Sequence, residues 1–119
     1  MMNRGPWLLL SACVTCAACA SVPVPAERLA SAEAGIRGAT EIGAEGVPQA
    51  ALHLKMAHDE VASAKALQRD GDNERAAMVL ARAEADAELA NSLTRESRAR
   101  EEANAVIAQV EAMRQQPKP

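Results

Sequence analysis

The sequence predicts an all-α protein, a small three-helix bundle or helical hairpin with a long C-terminal helix, following a cleaved signal peptide. Three observations carry this. Apolar residues recur at three- and four-residue steps in three separate segments, the spacing of one face of an α-helix. Gly and Pro fall between those segments, at Glu45-Gly46-Val47-Pro48 and at Asp70-Gly71-Asp72, where they punctuate the chain. Hydrophobic residues make up 49% of the sequence, and much of that total is alanine, the strongest helix former.

The 119 residues suffice for one small domain. The single aromatic residue, Trp7, lies in the segment expected to be removed, so no ring anchors the folded part. At about 25 cal/mol per Å² of buried apolar surface, a core of alanine with a few Leu, Ile, Val and Met is thin. Marginal stability, or help from a partner, is expected. The formal net charge is −3, and loss of Arg4 with the leader would make it −4. Charges alternate in sign along the helices and form no basic patch, so nucleic acid is not an implied partner.

Taken in order, the chain opens with Met1-Met2-Asn3-Arg4, a short positive region, followed by an apolar run from Trp7 through Ala17. That run is too short for a permanent span of a ~30 Å hydrocarbon core and has the length of a secretory signal. It leads into cysteines at 13, 16 and 19, the arrangement read by lipoprotein-processing machinery. Leu10-Ser11-Ala12-Cys13 has a large apolar residue three before the cysteine, but leaves an apolar region shorter than the usual 7–15 or so. Cys16 follows the bulky Thr15 and is set aside. Cys16-Ala17-Ala18-Cys19 departs from the pattern at its first position, yet has small residues before the cut and a full-length apolar run. Cys19 is therefore the expected lipid attachment site, with Cys13 as the fallback and residues 1–18 as the signal peptide. Cys19→Ser should leave the protein unlipidated; persistent acylation, read by mass spectrometry, would move the site to Cys13.

Ala20 follows, which in Gram-negative lipoproteins resembles the signal for release to the outer membrane. The acyl chains of a mature lipoprotein cysteine make a stable anchor, as one chain alone does not. The expected location is thus the outer membrane, facing the periplasm; an ordinary signal peptide and a free periplasmic product is the alternative. The two overlapping C-x-x-C patterns lack the further Cys or His ligands of a zinc site and the βαβ setting of a redox pair.

Residues 19–25 read as a tether, since Ser21-Val22-Pro23-Val24-Pro25 is held extended by its prolines. The helical domain is expected over residues 26–114. Helix 1 is expected from Pro25 to Gly43, with Leu29, Ala32, Ile36 and Ala39 as its stripe; Gly35 and Gly38 within it permit close approach of a neighbour or soften the helix. Helix 2 is expected from Pro48 to Arg69, burying Ala50, Leu54, Ala57, Val61, Ala64 and Leu67, with Lys55, Asp59, Glu60, Lys65 and Arg69 pointing outward. Asp70-Gly71-Asp72 is a turn in which Gly71 suits the left-handed residue after a helix and Asp72 the next N-cap. Helix 3 is expected to reach Arg114, with Ala76, Leu80, Ala83, Ala87 and Ala90 on one face. Past Thr94 a second stripe runs through Ala99, Ala103, Val106, Val110 and Met113, which projects, frays or pairs with another chain. Residues 115–119 read as a disordered tail.

From the lipobox to about residue 92 the sequence resembles a family of small alanine-rich bacterial lipoproteins known only as a domain of unknown function. The likeness rests on Cys19-Ala20-Ser21 followed by Pro, on Pro48 opening a helix with Leu54, Ala57, Val61 and Ala64, on Gly71-Asp72, and on the run Ala83–Ala90. Family members are sometimes followed by an OmpA-like domain; none is read in this sequence, so cell-wall binding is not carried over from the resemblance. The hairpin from Ala64 to Ala83 also resembles one tetratricopeptide unit, but a solenoid needs about three repeats.

Among chemistry-bearing residues, His53, Met56 and His58 form the most suggestive cluster. His53 and Met56 can share a helix face, which makes a periplasmic ligand or metal-binding module the alternative function. His58 lies about 140° round the helix from His53, so the three do not converge, and no metal ligand is assigned. Asp86 and Glu88, like Glu101 and Glu102, read as solvated helical charges. Lys118 is followed by Pro119, unlike the terminal lysine of envelope lipoproteins joined to peptidoglycan. No catalytic residue, cofactor or small-molecule substrate is indicated. The expected role is structural or adaptor-like, through helix-on-helix contact as a homo-oligomer or with an envelope protein partner.

Overall fold

A computed structural model describes residues 26–117. The signal peptide, Cys13, Cys16, Cys19, the tether and Lys118 lie outside the described residues. Among the described residues the elements are α1 (Ala26–Glu41), a short 3-10 turn (Ala44–Gly46), α2 (Pro48–Arg69) and α3 (Asn73–Gln115). The expected fold is therefore the observed one: helices alone, three of them, the last far longer than the others.

The helix ends follow from single residues. α1 stops two residues before the expected Gly43, which takes φ +78° and turns the chain out of the helix. Its N–H donates to the Thr40 carbonyl at 2.9 Å, and Ala44, in the 3-10 turn that follows, is fully buried. Val47 is extended ahead of Pro48, and Pro48 opens α2 where a missing N–H costs nothing. At the other end of α2, the Asp72 N–H donates to the Leu67 carbonyl and the Gly71 N–H to Gln68. That is a Schellman motif, made possible by Gly71 at φ +80°. The Asp72 carboxylate then accepts from the Arg75 N–H at 3.2 Å, capping α3 in the same turn. α3 contains no Gly or Pro and runs unbroken for 43 residues, about 64 Å at 1.5 Å per residue.

The core lies where the three stripes meet. Ala32, Ile36 and Ala39 of α1 pack with Ala50, Leu54, Ala57, Val61 and Ala64 of α2 and with the Leu80–Ala90 face of α3. Leu29, Leu67, Val47 and Leu93 close its edges. The core is mostly methyl groups, so the helices approach closely and only Leu80 is a large apolar side chain with no exposure at all. α1 and α3 approach closely at Gly35, where a methyl group would stand 3.0 Å from the Ala87 Cβ. The Asn91 amide sits across the same seam and donates to the carbonyls of Gly35 (3.1 Å) and Ala87 (2.9 Å). Thr94 is the last buried residue of α3, its hydroxyl donating to the Ala90 carbonyl.

Candidate helix-pairing surface

Beyond Thr94, α3 leaves the bundle. Every residue from Arg98 to Gln115 is exposed, so about 27 Å of helix at 1.5 Å per residue is left uncovered by the described residues. This arm is not uniformly polar. Ala99, Ala103, Val106, Val110 and Met113 recur at steps of four, three, four and three, the spacing of a coiled-coil seam. Val106 is 58% exposed, Val110 37% and Met113 55%, with Ile107 at 55% beside them. At 100° per residue this stripe lies about 140° around α3 from the face buried in the bundle. The two stripes of α3 therefore face different directions.

Where the arm begins, a shallow open groove of about 330 Å³ lies between the Val47-Pro48-Gln49 connection and Leu93, Glu96, Ser97, Arg100 and Asn104 of α3. Glu101 lines the same groove, and Glu102 is exposed farther along the arm. Arg100 pairs with Glu96 one turn earlier, which supports the helix locally.

The seam between α2 and α3 holds the chemistry that the sequence pattern concealed. Met56 is exposed, while the His53 ring turns inward and its Nδ1 stands 2.7 Å from an Asp86 carboxylate oxygen. Asp86 is thus not the solvated charge expected of it; its side chain is 16% exposed. Glu60, one heptad after His53, is 17% exposed, and its Oε2 is buried without a hydrogen-bond partner. Arg82 approaches Glu60 at 3.5 Å from a mostly exposed position. His58 is exposed on the other side of α2, beside Glu33, Arg37 and Lys65, and Glu88 is exposed near Gly35 and Asn91. Among the described residues no group of three or more His, Cys, Asp and Glu side chains is placed to hold a metal ion. Spacing alone offered a signal for the missed group: positions 53 and 60, and 82 and 86, flank the apolar stripes of facing helices.

Burial raises the Glu60 carboxyl above its ordinary pKa, and the neighbouring Asp86 charge raises it further. A carboxyl raised on folding contributes fully below its unfolded pKa and loses that contribution as pH climbs through the raised value. Once ionised, Glu60 therefore weakens the seam. Glu60→Gln should stabilise the fold by about 1 kcal/mol at pH 7, an advantage that vanishes below about pH 4. Urea denaturation at both pH values checks this. Glu33, at the α1–α2 seam, behaves oppositely: the Lys65 ammonium donates to it at 2.7 Å and, by that bond and its charge, holds its pKa down. Its contribution is lost as pH falls through the carboxylate range.

The α1–α3 contact and the α2–α3 hairpin fall within one continuous family match, to Domain of unknown function (DUF4398), over residues 27–106. The chain belongs to the DUF4398 family. No curated protein and no solved structure matches it. The DUF4398 match begins one residue into α1 and ends at Val106, so it takes in the whole bundle and the first half of the arm. No described helix is long and apolar enough to cross a membrane.

Proposed function

We propose that this DUF4398 chain is a non-catalytic adaptor of the bacterial envelope, held to the outer membrane through lipidated Cys19 and facing the periplasm. Its bundle acts as a base, and the arm of α3 pairs with another helix. The observation that carries this reading is the unpartnered seam of Ala99, Ala103, Val106, Val110 and Met113 on a helix that the bundle does not cover. A solvent-facing helix gains nothing from a heptad-spaced apolar stripe unless a second helix buries it. The leader and its cysteines supply the anchoring half of the proposal. A thin alanine core fits the same role, because association with a partner helix adds burial that the chain alone lacks.

Sedimentation of the soluble form, residues 20–119, should show a dimer or larger species, or a complex with a captured envelope protein. A strictly monomeric domain that captures nothing from solubilised envelopes would refute the adaptor role.

A further inference from the structure

Resting on that reading, we infer that the arm's partner is the arm of a second copy, laid antiparallel. The arm is tapered in two respects. Its seam is small at the base, Ala99 and Ala103, and large toward the tip, Val106, Val110 and Met113. Its charge runs the same way: Arg95, Arg98 and Arg100 against Glu96 give the base +2, whereas Glu101, Glu102 and Glu111 against Arg114 give the remainder −2. A two-fold interface must be complementary to itself, and a surface tapered in size and sign meets that condition only when its ends are exchanged.

Antiparallel overlap in the coiled-coil register sets Ala99 against Val110 of the other copy and Ala103 against Val106. Small then meets large in both pairs, each repeated by symmetry, so the two helices keep one separation between Ala99 and Val110. At the flanking positions Arg100 of one copy then lies nearest Ile107 of the other, and Glu102 nearest Gln109, twice by symmetry. Parallel pairing gives the reverse: alanine on alanine at the base, bulk on bulk at the tip, and Arg95 facing Arg100 across the seam. Like charges so placed oppose the pairing. The stripe lies about 140° around α3 from the buried face, so the bundle, whose Val47-Pro48-Gln49 connection reaches along α3 to Arg100 and Asn104, leaves it open to the second arm.

The test uses the full chain in intact envelopes, with two differently tagged copies. One carries Ala99→Cys and the other Val110→Cys, and a short bis-maleimide links nearby thiols before linked peptides are identified by mass spectrometry. The expected product joins 99 to 110 and exceeds the 110–110 product by more than about tenfold, since those sites lie roughly 16 Å apart along the antiparallel axis. Dominant 99–99 and 110–110 products overturn the inference in favour of parallel pairing. A second variant, Ala103→Glu with Val106→Glu added to both cysteine-bearing copies, should abolish the 99–110 product while the bundle stays helical by circular dichroism. If the arms never link, yet this double variant loses capture of a different envelope protein, self-pairing is wrong and the adaptor reading stands. If the arms never link and the double variant changes nothing, both fail.

Discussion

Leu80→Ala should cost about 3 kcal/mol, within the range of 2–5 for emptying a buried leucine site. Leu80 has no exposed surface and is the largest apolar side chain wholly inside the bundle, surrounded chiefly by alanines and short branched residues. Alanine neighbours have no rotamers with which to refill a vacated space, so the cavity persists unless the helices themselves move. Thermal unfolding followed by circular dichroism should register a fall of roughly 12–24 °C, at 4–8 °C per kcal/mol for a domain of this size. A fall under about 5 °C would mean that the bundle repacks around the loss.

The second large effect is expected at the α1–α3 seam. Gly35→Leu should separate α1 from α3 at a cost of about 2–3 kcal/mol, because even the first added carbon would meet the Ala87 Cβ at 3.0 Å. The Asn91 bridge to the Gly35 carbonyl stretches with it. Hydrogen exchange should then quicken through α1 while the α2–α3 hairpin keeps its protection. Gly35→Ala isolates the steric effect: its gain in helix propensity, about 1 kcal/mol, offsets the few tenths of an ångström by which the seam must open, so it should be nearly neutral. Equal exchange rates in wild type and Gly35→Leu would show that α1 is not held by this contact.

The bundle was legible because each helix writes its buried face into simple spacing. The stripes through Ile36, Leu54 and Leu80 mark the core, and the Asp70-Gly71-Asp72 turn carries its own start and stop signals. Gly35 suggested either a close contact or a soft helix, and only packing could decide between them. The end of α1 was misplaced by two residues because Ile42 and Ala44 carry the apolar pattern through Gly43, leaving its positive φ invisible to periodicity. Asp86 and Glu60 were hidden for a different reason. A charged residue at the edge of a stripe reads as solvated until a facing helix supplies a charge or a ring, and neither His53 nor Arg82 announces its partner across 33 or 22 positions of chain. The arm's seam was visible from spacing alone, but its isolation was not: that depends on α1 and α2 being too short to reach it.

The unbroken course of α3 makes it a geared shaft. Its two stripes are locked in phase by the residues between Thr94 and Ala99, with no hinge to absorb a mismatch. Two extra residues there would turn the outer stripe by about 200°, bringing it round toward the side of the bundle. Seven would advance it about 10 Å and restore its azimuth to within about 20°. Evolution can therefore lengthen such an arm in heptads at little cost, whereas intermediate insertions swing its binding edge away from whatever it meets.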